Sequence, residues 1–411
     1  MEFNTALLHT ETAGKRGTPL EPIYQTTAFQ YPTAEELERV FQGTDFGYIY
    51  TRISNPTLAA FEKKVAALEQ GVGAVACASG MAAITLSLLS IVQGGQEILS
   101  GSGLYGGTFA LFKELQRFGI TSRWVTDNTI ASFAANINEQ TRLIYVESIG
   151  NPKLDVPDIA GLAELAHSRG VPLVVDNTAA SPYICRPLEL GADIVLHSTS
   201  KYINGSGNSI GGIIVDSGRF PWDGRRYPAL QEYHKFGPYA YLARVRKGLL
   251  TDFGASMAPL AAYLNSLGLE TLGLRMERIC DNAQELAVFF QEQHQVTAVN
   301  YPGLESSLSR STACQQFRGK FGGLLTVRLG SKHKAFRFIE KLKYGANLAN
   351  IGDVRTLVIH PASTLCLHHT CEEREQMGVY EDLVRISVGI EDIRDLKLDF
   401  AQALDRMSLA L

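Results

Sequence analysis

Between residues 56 and 250, short apolar runs alternate with helix-length patterns. "VGAVACAS", "QEILSG", "TSRWVT", "TRLIYVES", "PLVVDNT" and "ADIVLHS" have strand length. "NPTLAAFEKKVAALEQG", "GMAAITLSLLSIV", "GTFALFKELQRFG" and "DIAGLAELAHSRG" read as helices between them. A short apolar run with no polar alternation has no face for water, so it belongs in a sheet covered on both sides. Helices between successive strands make such a sheet mostly parallel. The fold class is therefore α/β. The first of these helices opens at Asn55-Pro56, and Gly71 is its expected stop.

The flanks read differently. Residues 1–55 form an arm rich in Thr, Pro and aromatic residues, with one helix over "TAEELERVFQG", Thr33 as its N-cap and Glu36 three residues on. An arm of this kind packs on another domain or subunit. From residue 251 a long helical region leads to "FGGLLTVRLG", "HKAFRFIEKLK", "RTLVIH" and "LVRISVG". That is an α+β pattern. The expected organisation is an N-terminal arm (1–55), a large domain (56–250) and a smaller C-terminal α+β domain (251–411).

Composition removes several function classes. Lys and Arg number 38 against 42 Asp and Glu, a net charge of −4, and no long basic run is present. Nucleic acid is therefore not an expected partner. No apolar stretch is long enough to span a bilayer, and the N-terminus lacks a basic-then-apolar signal pattern, so neither membrane nor export is expected. Cys77, Cys185, Cys280, Cys314, Cys366 and Cys371 are scattered along the chain. That favours free thiols in a reducing cytoplasm. "CLHHTC" at 366–371 brings thiols and imidazoles together, yet its spacing fits no common zinc pattern. It reads as a loop or pocket edge, with no metal expected.

In sheets of this type, ligands sit at the carboxyl ends of the strands. Four such ends carry polar residues. In "ASGMAAI", Ser79 and Gly80 follow a strand and open a helix, whose free N–H groups can hold a phosphate. In "VVDNT", Asp176 ends a strand beside Asn177 and Thr178, and a buried carboxylate there needs a cationic or N–H partner. In "LGADIVLHSTSKYINGSGNSIGG", Lys201 follows Ser198, Thr199 and Ser200 and precedes a glycine-rich loop. In "SGLYGGTF", Tyr105 stands on a glycine turn. Neither a G-x-G-x-x-G turn in the right context nor a GxxxxGK[ST] loop is present. A phosphate site, an acid and a lysine on strand ends instead suit pyridoxal phosphate. That cofactor needs a lysine for its Schiff base, an acid to keep its ring nitrogen protonated, and an anion site. An aromatic ring over the pyridine is a natural fourth part.

"DNTAASPYICRPLELGADIVLHSTSKYINGSG" closely resembles the pyridoxal-phosphate segment of the Cys/Met-metabolism enzymes, and "GYIYTRISNPT", "ASGMAAI", "LYGGT", "NPKLDVPDI", "GDVRTLVIHPAST" and "RISVGIEDIRDL" resemble further blocks of that family. The resemblance implies a fold-type-I pyridoxal-phosphate transferase fold and pyridoxal 5'-phosphate as cofactor. It implies that Lys201 bonds the cofactor and shuttles protons, that Asp176 pairs with its ring nitrogen, and that Tyr105 stacks on its ring. Gly80, Met81, Ser198 and Ser200 would hold the phosphate, with Thr178 bracing this group. Tyr50 and Arg52 would reach the same phosphate from a neighbouring subunit of a homotetramer, and Tyr50 would also face the substrate. Arg385 would clamp the substrate carboxylate. Asn151 would lie near the cofactor's ring oxygen or the substrate, although as a residue before Pro152 it could equally make a turn. Met81 would act through its backbone, its side chain serving packing.

Three positions depart from the family's usual pattern: Ala179 after "DNT", Ser206 in the glycine loop and Cys366 after "PAST". They bear on the substrate pocket rather than on the cofactor. Within the family, Asn350 in "NIGDVRTLVIHPAST", the loop "NSIGGIIVDSGRFPW" and "GLETLGLRMERICDNA" resemble the O-acetylhomoserine sulfhydrylase branch. Asn350 is counted among the substrate-side residues. Gly107 stands where methionine γ-lyases carry a cysteine. The resemblance thus implies γ-replacement in methionine biosynthesis, giving homocysteine and acetate from O-acetylhomoserine. The sulfur donor would be free sulfide or a thiocarboxylated carrier protein. The alternatives are a methionine γ-lyase and a cystathionine γ-synthase or lyase.

Overall fold

Each apolar run between residues 73 and 198 becomes a strand of one sheet. In the computed structural model, which describes residues 1–10 and 21–407, the strands are β1 (Gly73–Cys77), β2 (Glu97–Ser100), β3 (Thr121–Trp124), β4 (Thr141–Glu147), β5 (Leu173–Asp176), β6 (Ile194–Ser198) and β7 (Gly212–Asp216). Their order is β1-β7-β6-β5-β4-β2-β3. β7 runs antiparallel to both neighbours, and every other pairing in the sheet is parallel. The carboxyl ends of β1 to β6 therefore share one edge, which is where a doubly wound sheet places its ligand.

Successive side chains of a strand point to opposite faces. Leu173 and Val175 enter one apolar core while Val174, between them, enters the other. On β6, Val195 joins the first core, and Ile194 and Leu196 the second. Both faces are covered by helices, as the absence of polar alternation requires. Asn55 caps the Pro56–Glu69 helix by accepting from Thr57 N. That helix ends on Gln70 at φ 62°, one residue before the expected Gly71, so a glutamine takes the left-handed position. In the arm, Thr33 caps Ala34–Gln42 by accepting from Glu36 N, as expected, and residues 11–20 of the arm lie outside the described residues.

The C-terminal region forms a second sheet. Its strands are β8 (Ala298–Asn300), β9 (Leu324–Arg328), β10 (Ala346–Asn347), β11 (Leu357–Ile359) and β12 (Leu383–Ser387), in the order β10-β11-β12-β9-β8. All its pairs are antiparallel except β10–β11. Phe290, Phe338 and Phe400 fill its core with Leu325, Val327, Val384 and Ile386. The Leu272–Gln291 helix joins the two sheets. Its first half sends Met276 and Ile279 into the core of the large sheet, and its second half sends Leu286 and Phe290 into that of the small one. On β12 the alternation that buries Val384 and Ile386 turns Arg385 the other way, towards the large sheet. Among the described residues, no helix is long and apolar enough to cross a membrane.

Candidate active site

Strand ends, one helix start and the outward face of β12 enclose a cavity of ≈ 370 Å³. It is lined by Gly80, Met81, Tyr105, Asn151, Asp176, Thr178, Ser198, Ser200, Lys201, Asn350 and Arg385 among others. The structure thus brings together every sequence-predicted site residue except Tyr50 and Arg52.

The floor is a helix start. Ser79 caps Gly80–Ile91, its side chain accepting from Ala82 N. The N–H groups of the first turn have no acceptor inside the helix and offer partial positive charge to an anion. Ser198, at the end of β6, closes on the same turn: a Cβ at Gly80 would lie 2.6 Å from Ser198 Cβ. A Cβ at Gly212 would collide with the Ser79 carbonyl. Both positions need glycine because backbone and hydroxyls crowd there. Ser198 N donates to Thr178 Oγ1 at 2.8 Å, and Gly211 N donates to Ser200 Oγ at 3.0 Å, so Thr178 and Gly211 fix the segment that leads to Lys201.

Lys201 is half-buried, and its Nζ donates to Asn350 Oδ1 at 2.5 Å. Burial, then the nearby Arg385 charge, lowers its pKa from 10.5 to about 8. Arg385 is 2% exposed. It donates through Nη1 to Asn151 Oδ1 at 2.9 Å and through Nη2 to the Asn350 carbonyl at 3.1 Å, while its Nε is buried without a partner. Among the described residues no carboxylate pairs with it, and desolvation lowers its pKa to about 10. A buried guanidinium held only by neutral oxygens is primed for a bidentate carboxylate.

Two carboxylates stand on the opposite wall. Asp176 ends β5 and accepts from Thr178 N at 3.0 Å and from the Tyr145 hydroxyl at 3.3 Å. Burial raises its pKa, with the Thr178 bonds and His197 acting against that rise. Behind it, His197 Nε2 and Glu69 Oε1 lie 2.6 Å apart, both fully buried. The second carboxylate is Glu147, the last residue of β4 and the register partner of Asp176. It accepts from Tyr105 N at 2.6 Å. Glu147 is a cavity residue outside the set expected from the sequence. Its only signal is its place as the last residue of "TRLIYVE", which becomes a site only once β4 is paired with β5.

Tyr105 starts the Gly106–Leu115 helix with its ring at the cavity. Gly107 lies against that ring, where a Cβ would stand 2.5 Å from Tyr105 Cε1. Tyr50 and Arg52 are outside the cavity. The Arg52 guanidinium lies 5.3 Å from the Tyr50 ring centroid and donates to the Thr251 carbonyl at 2.5 Å. Of the departures from the family pattern, Ala179 lines the cavity. Ser206 is turned by Asn204, and Cys366 packs against Ala362, Met377 and Val379. In "CLHHTC" the two thiols separate, Cys366 buried and Cys371 exposed.

Comparisons with known proteins show the family. The model of the Cys/Met metabolism PLP-dependent enzymes matches residues 4–405. The chain is 43% identical over 420 residues to a Schizosaccharomyces pombe protein named homocysteine synthase, covering 98% of each chain. It is 44% identical over 423 residues to O-acetyl-L-homoserine sulfhydrylase 1 of Thermus thermophilus, covering 98% of this chain and all of that one. A crystal structure of a putative O-acetylhomoserine (thiol)-lyase from Campylobacter jejuni, with N'-pyridoxyl-lysine-5'-monophosphate at position 205, superposes with a TM-score of 0.93 at 31% identity, covering 98% of this chain and 100% of that one. The parallel sheet, the strand-end site and these matches have one reading: this chain belongs to the Cys/Met-metabolism family of pyridoxal-phosphate-dependent enzymes.

Proposed function

We propose that this chain catalyses γ-replacement on O-acetylhomoserine with sulfide. The Cγ–O bond breaks, a Cγ–S bond forms, and acetate and homocysteine are released. The names of the relatives and the geometry of the cavity support this reading together.

The residues fit pyridoxal phosphate. Asp176 is a buried acid raised by desolvation, and a cationic ring nitrogen would favour its ionised form. The crowded start of the Gly80–Ile91 helix, with the Ser198 and Ser200 hydroxyls, is a cradle that a Cβ at Gly80 would fill. In this reading Gly80, Met81, Ser198 and Ser200 hold the phosphate, Asp176 the ring nitrogen and Tyr105 the ring face. Lys201 bonds the cofactor, with Thr178 and Asn151 at its flanks. When bound, the cofactor supplies an electron sink for negative charge that develops on the substrate's carbon skeleton.

The chain's own groups do the rest. Arg385 takes the substrate carboxylate through its Nη atoms. Lys201 Nζ, with a pKa of about 8, has a neutral fraction near pH 7 and accepts the proton from the substrate's α-carbon. Asn350 Oδ1 aims that nitrogen, and Nζ later returns a proton to the product. Water reaching the reacting carbons would divert the reaction to an oxo acid and ammonia, so the site has to be shielded from it during turnover.

One observation carries the reading: Asn350 holds both Lys201, through its side chain, and Arg385, through its carbonyl. Proton acceptor and carboxylate clamp are thereby set at a fixed separation, as an α-amino acid substrate requires. Gly107 favours replacement over methionine cleavage. Gly107 offers no thiol, and a Cβ there would require the Tyr105 ring to shift. The test compares kcat/KM for O-acetylhomoserine plus sulfide with that for methionine alone in one preparation. The proposal requires faster replacement, and faster methanethiol release from methionine would make the chain a lyase. A thiocarboxylated carrier protein, offered in place of sulfide, forms a third arm of the assay.

Tyr50 and Arg52 stand near the surface outside their own cavity, Tyr50 being 38% exposed. In our reading they serve the phosphate of a second copy in a homotetramer, and Tyr50 the substrate as well. In our reading the chain divides into an arm (1–55), a large domain (56–250) whose core also takes in Leu269, Met276 and Ile279 from the helices that follow, and a C-terminal domain (251–411), and the enzyme works in the cytoplasm.

A further inference from the structure

Glu147 and Asp176 are direct register partners on adjacent parallel strands, both at the carboxyl end and both lining the cavity. Neighbouring strands lie about 4.8 Å apart, so two ionised carboxylates here would repel strongly in a poorly solvated place. Among the described residues no cation is bonded to Glu147: Lys201 donates to Asn350, and Arg385 donates to Asn151 and the Asn350 carbonyl. Glu147 accepts from the backbone N–H of Tyr105 at 2.6 Å, and the backbone N–H of Asn151 also faces it. The Tyr105 N–H opens the Gly106–Leu115 helix and has no acceptor inside it.

We propose that Glu147 is a positioning residue that works as an uncharged carboxylic acid, anchoring Tyr105 by its N–H and leaving Asp176 as the only ionised acid of the pair. The surroundings of the two groups divide the roles. Burial and then the Asp176 charge push Glu147 well above the usual carboxylate range, against the opposing N–H groups of Tyr105 and Asn151, with Asp155 adding a little to the rise. Asp176 is raised by burial too, but Thr178 and His197 pull it back. With the two carboxyls side by side as register partners, these surroundings favour the proton on Glu147. An ionised Glu147 would instead push a proton onto Asp176 and remove the charge that the cofactor's ring nitrogen needs.

This inference rests on the proposed stacking role of Tyr105 but not on the identity of the substrate. Its primary test uses the apoprotein, without cofactor or substrate. At pH 7 the infrared spectrum of the wild type minus that of Glu147→Gln should contain a positive protonated-carboxyl carbonyl band, the subtraction cancelling the contribution of Asp216, which burial raises to about 7. The absence of a positive band from this difference overturns the proposal. The second test is rescue in the holoenzyme. A glutamine oxygen accepts the same N–H, so Glu147→Gln should keep kcat within about threefold, whereas Glu147→Ala orphans the N–H and should lose about ten- to a hundredfold. If Gln loses as much as Ala, a negative charge at this position is needed and the proposal fails. Failure of γ-replacement with a retained infrared band would revise the substrate reading alone.

Discussion

Lys201 and Asn350 are joined by a 2.5 Å hydrogen bond, with the ammonium donating to the amide oxygen. The carbonyl of the same asparagine receives Arg385. Side chain and backbone of one residue therefore serve two partners, and a substitution separates them. Asn350→Ala removes the acceptor of Lys201 and keeps the carbonyl. It should lower kcat by about tenfold, the worth of one charge-assisted hydrogen bond, with a smaller change in KM. Steady-state kinetics check this. A rise in KM at constant kcat would place Asn350 on substrate binding alone.

The lowered pKa of Lys201 makes a stability prediction for the apoprotein. Its folded pKa, about 8, lies below the ordinary 10.5, so between those values the unfolded chain binds more protons and stability rises with pH. The cost is fully present below about 8 and disappears above 10.5. Lys201→Met should therefore gain about 2–3 kcal/mol relative to wild type at neutral pH, and the gain should shrink as pH rises from 8 to 10.5. Denaturant unfolding of both apoproteins across that range measures it. A difference independent of pH would mean that the lysine is not desolvated.

Asp176→Asn should keep bound cofactor and lose most of the rate. An amide accepts a hydrogen bond but does not favour a protonated ring nitrogen, so negative charge on the substrate loses its sink. A loss of about a hundredfold or more in kcat is expected, the scale of one acid–base contribution. Stopped-flow and absorbance spectra check rate and loading separately. A near-native rate would assign protonation of the ring to another group.

Tyr50 and Arg52 lie outside the cavity of their own chain, which leads to a complementation experiment. Arg52→Ala and Lys201→Ala proteins should each have little activity. Mixed under conditions of subunit exchange, they should recover part of it, since some hybrid sites combine an intact Lys201 with an intact Arg52. Mass spectrometry confirms exchange. No recovery after exchange would place the whole site within one chain.

Much of the site was legible because its parts terminate recognisable elements. Asp176 and Ser198 end apolar runs, Ser79 caps a helix, and Lys201 follows its strand by three residues. A single sequence marks such ends through the change from apolar to polar. It does not carry strand pairing. Glu147 ends an apolar run in the same way, and its meaning depends on β4 lying beside β5, a relation between segments about thirty residues apart. β7 is missing from the sequence reading for a related reason. "GIIVD" emerges from the glycine-rich loop and runs antiparallel between β1 and β6, with no helix before it to announce a strand. Gln70 in place of Gly71 at the left-handed helix end reflects tertiary context overriding a local preference. The place of Arg385 at the cavity was visible only through family resemblance, because alternation along β12 fixes its face but not what that face meets.

The central claim is that the cavity around Lys201 is the catalytic centre and that this lysine bonds the cofactor. Borohydride reduction of the holoenzyme, followed by proteolysis and mass spectrometry, tests it most directly. The account predicts a pyridoxyl phosphate adduct on the peptide that carries Lys201, in a ratio near one per chain, and none on any other lysine. An adduct on a different lysine, or stoichiometric cofactor with Lys201 unlabelled, would contradict it.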